Sequence, residues 1–322
     1  MRKLKAISFF AGVGGIDKGF EEAGFKTIWA NEIDPYAAET FKANFKCKLV
    51  VKDIREVKLD EIPEFDVMLA GFPCQAFSLA GYRKGFNDER GNLYFELVRI
   101  FEARKPKIIF LENVKNLVGH DNGKTFRIIL ERLIENGYTV KYKVLNACEY
   151  GNIPQNRERI YIVAFKEKRV AEKFEFPYPV ELKIKLHDLI DYENKVDSKY
   201  YYTKDTCKFY DELEREMKKM DTTYQWRRIY VRENKSNLCP TLTANMGTGG
   251  HNVPLVFTKT GIRKLTPREC FNLQGFNENF ILPEDLSNTR LYKQAGNSVT
   301  VPVIKRIAKN INKAIKDAER SL

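Results

Sequence analysis

The stretch Lys5-Ala6-Ile7-Ser8-Phe9-Phe10-Ala11-Gly12-Val13-Gly14-Gly15 decides the fold. Its apolar first part is too short for the core of a signal peptide and breaks at glycines, so it predicts a strand that enters a glycine-rich turn. Glycines at such a turn let the backbone approach a ligand and aim the amides of a following helix at it. The spacing G-x-G-G differs from the dinucleotide fingerprint G-x-G-x-x-G, and a purely structural turn remains an alternative.

Outward from this turn, short apolar runs alternate with amphipathic stretches. The predicted strands are 5–9, 27–30, 66–70, 107–111, 139–145 and 159–165. Several are almost continuously apolar, which is typical of a parallel sheet covered by helices on both faces. The pattern predicts an α/β fold with a doubly wound, mostly parallel sheet. We expect one domain from residues 1–175 and 290–322, and a second, smaller and less regular domain from 176–289.

Composition sets limits on function. The 322 residues include 55 Lys and Arg and 43 Asp and Glu, which gives a formal charge of +12 and favours a polyanionic partner without proving one. No apolar stretch has the length of a membrane span. Six scattered cysteines form no CxxC pair, so we expect reduced thiols, no structural metal and a cytoplasmic protein.

Residues whose side chains are suited to ligand binding or catalysis follow the predicted strands. Glu32 lies at the end of the second strand, where a carboxylate can bind a ribose diol, and Asp53 follows further along in Lys52-Asp53-Ile54, where it could accept from an adenine amino group. Cys74 and Glu112 follow two further strands, at the edge where open α/β sheets place their active sites, although a lone cysteine is more often a core residue. Arg157 and Arg159 alternate, which predicts two guanidinium groups on one face.

Taken together, these motifs resemble the DNA cytosine carbon-5 methyltransferases of bacterial and archaeal restriction-modification systems. The resemblance covers nearly the whole chain except about 166–256, and its motifs occur in the family's order. They are Phe10-Ala11-Gly12-Val13-Gly14-Gly15, Asn31-Glu32, Asp53-Ile54, Gly71-Phe72-Pro73-Cys74-Gln75, Glu112-Asn113-Val114, Gln155-Asn156-Arg157-Glu158-Arg159, Arg263-Lys264-Leu265-Thr266-Pro267-Arg268-Glu269, Gln274-Gly275-Phe276 and Gln294-Ala295-Gly296-Asn297-Ser298-Val299.

The resemblance implies a Rossmann-like, S-adenosylmethionine-dependent enzyme (EC 2.1.1.37). Cys74 would add to carbon 6 of a flipped-out cytosine, Glu112 would hold the ring and lend a proton, and Arg159, with Arg157, would bind the carbonyl oxygen and a neighbouring phosphate. Asn113 would orient its loop. The residues implied for S-adenosylmethionine are Phe10, Gly12, Gly14, Glu32, Asp53, Ile54, Pro73 and Asn297.

The same resemblance makes the region before Arg263 a target-recognition domain for double-stranded DNA. The loop after Cys74 would be a basic lid, and a glycine-rich segment with Thr, Asn and His would pass close to base edges. The expected DNA-binding residues are Gln75, Ser78, Arg83, Arg90, Arg228, Thr243, Gly249 and Gly250. We expect a monomer without a metal. Two alternatives stay open: a transfer RNA cytosine-5 methyltransferase of the same fold, and a catalytically inactive DNA-binding relative.

Overall fold

The fold is taken from a computed structural model that describes residues 3–73 and 93–320. The chain divides into two compact units. The first comprises Met1–Leu145, Glu158–Tyr178 and Val303–Leu322, and the second comprises Asn146–Arg157 and Pro179–Pro302.

The strands, in chain order, are β1 Lys5–Phe9, β2 Lys26–Glu32, β3 Lys48–Val51, β4 Val67–Ala70, β5 Ile108–Val114, β6 Thr139–Asn146, β7 Gln155–Asn156, β8 Glu158–Phe165, β9 Tyr224–Trp226, β10 Val231–Glu233, β11 Cys239–Pro240, β12 Leu255–Thr258 and β13 Gly261–Lys264. The α-helices are α1 Gly15–Glu22, α2 Pro35–Asn44, α3 Leu93–Arg104, α4 Lys124–Glu135, α5 Ala147–Tyr150, α6 Lys168–Lys173, α7 Tyr210–Glu216, α8 Pro267–Asn272, α9 Asn288–Asn297 and α10 Val301–Arg320.

A seven-stranded sheet forms the first unit, in the order β3-β2-β1-β4-β5-β8-β6. Strands β3, β2, β1, β4 and β5 are parallel, and β8 runs antiparallel to β5. All four residues of β4 are buried, because helices cover both faces of such a sheet. The predicted fold class is therefore confirmed.

The order of the strands reverses beside β1, which pairs with β2 on one side and β4 on the other. In doubly wound sheets the crevice outside the carboxyl ends of the strands at this switch point is where ligands bind. The glycine turn after β1 and the segment Gly71–Pro73 after β4 both begin there.

The carboxyl-terminal helix α10 belongs largely to the first unit. Ile304, Ile307 and Ile311 repeat at helical spacing along it and are fully buried. Ile304 packs on α1 at Gly19, where an added Cβ would lie 2.5 Å from the Ile304 side chain. This close approach of two helices requires glycine.

The second unit contains a four-stranded sheet in the order β10-β9-β12-β13, with antiparallel pairs, and a parallel pair of β7 and β11. A small core forms on this sheet from Cys207, Leu213, Met217, Tyr224, Leu255 and Ile262. A buried ion pair joins Arg263 to Glu269, which also forms a capping box with Thr266 at the start of α8.

The bounds of the units differ from the predicted domain bounds at two places. Segment 146–157 groups with the second unit because β7 pairs there with β11. Helix α9 also groups there, and Gly296 in it lies against the backbone of Thr243, where an added Cβ would come within 2.1 Å. Pairing and packing of this kind follow from tertiary contacts and not from composition.

Within the described ranges, 3–73 and 93–320, no helix is long and apolar enough to cross a membrane. In the same ranges, no three His, Cys, Asp or Glu side chains are grouped as a metal site requires.

Candidate active site

The glycine turn after β1 adopts left-handed backbone at three of its residues. The φ angles are +53° at Phe10, +55° at Gly12 and +86° at Gly14, which is also the N-cap residue of α1. A Cβ placed on Gly12 would meet no atom of the described chain within 4 Å, whereas one on Gly14 would overlap the ring of Phe45. Glycine is therefore favoured at Gly12 by its left-handed backbone and at Gly14 by both its left-handed backbone and its close packing.

Glu32, at the carboxyl end of β2, binds the glycine turn. Its Oε2 accepts a hydrogen bond from the amide of Gly12 at 2.7 Å, and its Oε1 accepts from the amides of Ile33 and Asp34, both at 2.8 Å. An ionised carboxylate has about four acceptor positions, so this side chain can accept a further hydroxyl. This geometry is compatible with the expected hydrogen bonds from Glu32 to a ribose diol.

Asp53 caps the short 3₁₀ turn Ile54–Glu56, and the Arg55 side chain binds both of its oxygens. These charged hydrogen bonds lower the pKa of Asp53. Asn31, which the sequence analysis quoted but gave no role, donates to the carbonyls of Val50 and Lys52. It therefore holds the segment that leads to Asp53, and its place beside Glu32 in the motif was the only signal for it.

Glu112 and Arg159 form the central pair of the site. The β5–β8 register sets Glu112 opposite Tyr161, so Arg159, two residues away on the same face, can reach the carboxylate. Arg159 Nε lies 3.3 Å from Glu112 Oε1, and the two side chains are 13% and 10% exposed. Arg159 Nη1 also donates to the carbonyl of Glu158 at 2.8 Å. The pair is thus largely shielded from water but open at one side.

Asn113 links the end of β5 to the segment after β4. Its Nδ2 donates to the carbonyl of Phe72 at 2.8 Å, and its Oδ1 accepts from the amide of Val114. Gly71 borders the same place, since a Cβ there would lie 3.5 Å from Glu112 Oε2. The expected orienting role of Asn113 agrees with these bonds, which fix the backbone two residues before Cys74.

Asp17, in α1, carries a buried carboxyl group that the sequence patterns did not predict. Its Oδ2 accepts from the Ser8 hydroxyl at 3.0 Å. Burial raises the pKa of Asp17 from 3.8 to about 7, against the opposing effect of the Ser8 hydrogen bond. No spacing rule would have found it, because an acid in the first turn of a helix is normally solvated.

Arg157 differs from its expected geometry. The residue lies between β7 and β8, where the strand is interrupted, and its buried guanidinium donates to the carbonyls of Leu242, Gly296 and Ser298 in the second unit. Arg159 instead binds Glu112 in the first unit. The prediction that the two guanidinium groups share a strand face was wrong, because alternation holds only within a continuous strand.

The other predicted residues fall into three groups. The first group belongs to the first unit and lies in or just after its strands: Phe10, Gly12, Gly14, Glu32, Asp53, Ile54, Pro73, Glu112 and Arg159. Asn297, at the exposed end of α9, belongs to the second unit with Arg228, Thr243, Gly249 and Gly250. Cys74, Gln75, Ser78, Arg83 and Arg90 lie outside the described residues.

In the second unit, the predicted DNA-binding residues lie in two exposed segments. Arg228 is in the turn between β9 and β10, with a φ of +63°. Thr243 precedes the 3₁₀ turn Ala244–Thr248, which continues into Gly249 and Gly250 at φ angles of +84° and +68°. Each segment is a turn that presents side chains and backbone to solvent.

Comparison with known proteins decides the family. Residues 4–313 match the model of the C-5 cytosine-specific DNA methylases. The chain belongs to this family. It is therefore a DNA cytosine-5-methyltransferase, as the motifs predicted, and the match favours this activity over the transfer RNA alternative and over an inactive relative.

Curated relatives cover almost the whole chain. The Type II methyltransferase M.Bsp6I of Bacillus sp. (strain RFL6) is 63% identical over 97% of this chain and 99% of its own. The Type II methyltransferase M.HhaI of Haemophilus parahaemolyticus is 39% identical over 97% of this chain and 95% of its own.

Solved structures share the fold at low identity. The methyltransferase EhMeth of Entamoeba histolytica superposes with a TM-score of 0.76 at 21% identity, covering 98% of this chain and 99% of that one. Dnmt2 of S. pombe superposes with a TM-score of 0.75 at 18% identity, covering 97% and 99%. At these identities the likeness concerns the fold alone.

Proposed function

We propose that the protein transfers a methyl group from S-adenosylmethionine to carbon 5 of a cytosine turned out of a specific duplex DNA sequence, as the modification enzyme of a Type II restriction-modification system. The observation that carries this proposal is the shielded pair of Glu112 and Arg159, with an Nε to Oε1 distance of 3.3 Å, at the carboxyl edge of the sheet. A carboxyl group and a guanidinium together match the polar edge of cytosine.

In this reaction the thiolate of Cys74 adds to carbon 6 of cytosine, which makes carbon 5 nucleophilic. Glu112 holds nitrogen 3 and the exocyclic amine and lends a proton to nitrogen 3, while Arg159 binds the carbonyl oxygen. After carbon 5 has received the methyl group, a base removes its proton. The Cys74 thiolate then leaves carbon 6 by β-elimination, which restores the aromatic ring and the free enzyme.

S-adenosylmethionine supplies the methyl group as an electrophile when it is bound. The first unit offers residues that fit it: the open space at Gly12, acceptor capacity on Glu32, and Asp53 beside buried Ile54. Phe10, Gly14 and Pro73 complete the proposed cofactor residues of the first unit, and Asn297 stays a proposed cofactor residue because of its place in the family motif. The adenosine hydroxyls are the groups we assign to Glu32.

Arg157 takes a different part in this proposal from the one expected. Its guanidinium is buried and donates hydrogen bonds to the carbonyls of Leu242, Gly296 and Ser298. A guanidinium used in this way has little capacity left for a substrate oxygen. We therefore assign Arg157 a positioning role, in which it holds the segment before Thr243 against the end of α9.

For DNA recognition we propose the exposed turns around Arg228 and from Thr243 to Gly250. Arg228 would bind a phosphate or a guanine edge, and the glycine-rich turn would allow backbone and small side chains to approach base edges. Gln75, Ser78, Arg83 and Arg90 stay proposed contacts of the loop after Cys74. Removing a base from the stack costs a few kcal/mol, so contacts on both sides of the target are needed.

The restriction-modification role rests on the relatives. M.Bsp6I and M.HhaI are both Type II methyltransferases, and each is covered almost in full by this chain. We further propose that the enzyme acts as a monomer. Its cytoplasmic location stays a prediction.

Bisulfite sequencing tests the proposal directly. Plasmid DNA incubated with the purified chain and S-adenosylmethionine should acquire 5-methylcytosine at one short sequence, while transfer RNA treated in parallel should acquire none. Cys74→Ser should abolish methyl transfer, and Cys47→Ser, a partly buried cysteine elsewhere, should not. Unmethylated DNA, or normal turnover by the Cys74→Ser variant, would disprove the proposed reaction.

A further inference from the structure

Four aromatic rings of the second unit form a cluster, which we call the ring cluster: Tyr202, Phe209, Trp226 and His251. Phe209 and Trp226 are stacked, with centroids 4.0 Å apart and planes at 5°. His251 packs edge-on against Phe209 at 4.5 Å and 86°. The Tyr202 hydroxyl lies 3.0 Å from His251 Nδ1. Each ring thus contacts at least one other ring of the cluster.

Two members of the ring cluster adjoin the two segments proposed to bind DNA. Trp226 is the last residue of β9 and directly precedes the turn that carries Arg227 and Arg228. His251 follows Gly249 and Gly250 in the glycine-rich turn. Phe209, between them, is the N-cap residue of α7 and packs on the small core of the unit. The ring cluster therefore joins both turns to a buried support.

The hydrogen bonds within each turn are local, and the glycine-rich turn also packs on α9, where Gly296 lies against the backbone of Thr243. In the β9–β10 turn, the amide of Arg227 donates to the carbonyl of Tyr230 at 2.8 Å and the amide of Ile229 donates to the carbonyl of Arg227 at 2.7 Å, and Arg228 to Tyr230 are all exposed. In the glycine-rich turn, the side chain of Asn252 donates to the carbonyl of Gly249 at 2.9 Å. These bonds shape each turn locally, but they do not relate one turn to the other.

His251 suits this linking role in its neutral form. Partial burial, and then the charge of Lys264, lower the pKa of His251 below its usual 6.5. A neutral imidazole can exchange a hydrogen bond with the Tyr202 hydroxyl and still pack its edge on Phe209. An aromatic pair of this kind biases an equilibrium between two loop positions by about two- to tenfold.

We propose that the ring cluster sets the distance between the two DNA-contacting turns, and that His251 is a positioning residue for sequence discrimination. This inference rests on the proposed function. Adjacent base pairs are read correctly only when the reading groups keep a fixed separation, so loss of the link lowers affinity for the right sequence more than for a wrong one. His251 acts through Phe209 and need not touch a base.

The test uses the full chain and compares methyl transfer to its own target duplex with transfer to duplexes that carry one altered base pair. His251→Ala removes the ring, and we expect KM for the target to rise about five- to fiftyfold, with a smaller rise for altered duplexes and kcat changed less than threefold. His251→Phe keeps a ring against Phe209 and should retain most discrimination. Tyr202→Phe, which loses only the hydroxyl, should have an intermediate effect.

His187→Ala is the matched control, because His187 is an exposed histidine that packs on Tyr192 at 4.4 Å in the same unit. It should leave KM and discrimination unchanged. Equal behaviour of His251→Ala and His187→Ala would overturn the inference, as would a His251→Phe variant as impaired as His251→Ala, since that result means direct base contact. If the unaltered chain methylates no duplex, that result contradicts the proposed function itself. The inference then falls as well, because it rests on that function.

Discussion

Arg159 contacts Glu112 across the antiparallel pair β5 and β8, with 3.3 Å between Nε and Oε1. The contact depends on the direction of β8. Had β8 run parallel to β5, like the other neighbours of the central strands, its first residues would lie at the amino edge of the sheet. The reversed strand instead brings an arginine to the carboxyl edge, where β5 carries Glu112 two residues before its end, and so builds the polar half of the site.

Substitutions in this pair should abolish chemistry without loss of the fold. We expect Glu112→Gln to lower kcat by about 10² to 10⁴ because the proton donor is lost, and Arg159→Lys to lower it by about 10² because an ammonium cannot reproduce the guanidinium fork. Methyl transfer to duplex DNA measures both. Glu158→Gln, in the exposed neighbouring pair with Lys115, is the control and should retain normal turnover. Equal loss in all three variants would contradict a catalytic role for the buried pair.

Asn113→Ala should weaken the attachment of β5 to the segment Gly71–Pro73, which leads to Cys74. The variant loses the 2.8 Å bond to the Phe72 carbonyl, so we expect kcat to fall about tenfold while the Kd for S-adenosylmethionine stays unchanged. Single-turnover methylation and equilibrium binding of the methyl donor separate the two effects. Asn116→Ala, exposed in the following turn, should behave like the unaltered protein. A weaker methyl-donor complex would point to a different role for Asn113.

Gly12→Ala should lower affinity for S-adenosylmethionine. The added methyl group projects into open space beside Glu32, at a φ of +55° that also costs about 1 kcal/mol for alanine. Gly123→Ala provides a control, because Gly123 has a φ of +79° at the start of α4, outside the site. We expect a similar fall in Tm for both variants but a higher Kd for the methyl donor only with Gly12→Ala. Unchanged binding by that variant would remove Gly12 from the site.

Asp17 should make stability depend on pH. Burial raises its pKa to about 7 in the folded protein, from 3.8, so between these values the folded state keeps a proton that the unfolded state has lost. This contribution to the free energy of unfolding is complete below about pH 4. It falls by up to about 1.4 kcal/mol per pH unit as the pH rises, until it levels off above the folded-state pKa.

Asp17→Asn removes this dependence and still accepts from Ser8. Its Tm relative to the unaltered protein should therefore increase from pH 5 to pH 7 and stay constant at higher pH. Thermal unfolding in buffers of matched ionic strength measures the difference, with Asp60→Asn, an exposed acid, as the control. A constant difference in Tm across this range would show that the carboxyl group is ionised in the folded state.

Much of the fold follows from local pattern. Continuous apolar runs such as β4 and the first half of β5 identify strands buried on both faces, and the helical spacing of Ile304, Ile307 and Ile311 identifies a buried helix stripe. The capping box of Thr266 and Glu269 is local in the same way, because it joins neighbours in the sequence. Each of these features depends on residues a few positions apart.

These local patterns do not predict contacts between residues that are distant in the sequence. The sequence by itself determined the doubly wound sheet, the glycine turn, and the acids and the arginine at the strand ends, because propensity and periodicity act over short distances. Tertiary structure decided that Arg157 binds three carbonyls while Arg159 binds Glu112, and that Phe209 stacks on Trp226. Strand pairing and packing between distant segments choose these partners, and no spacing along the chain encodes them.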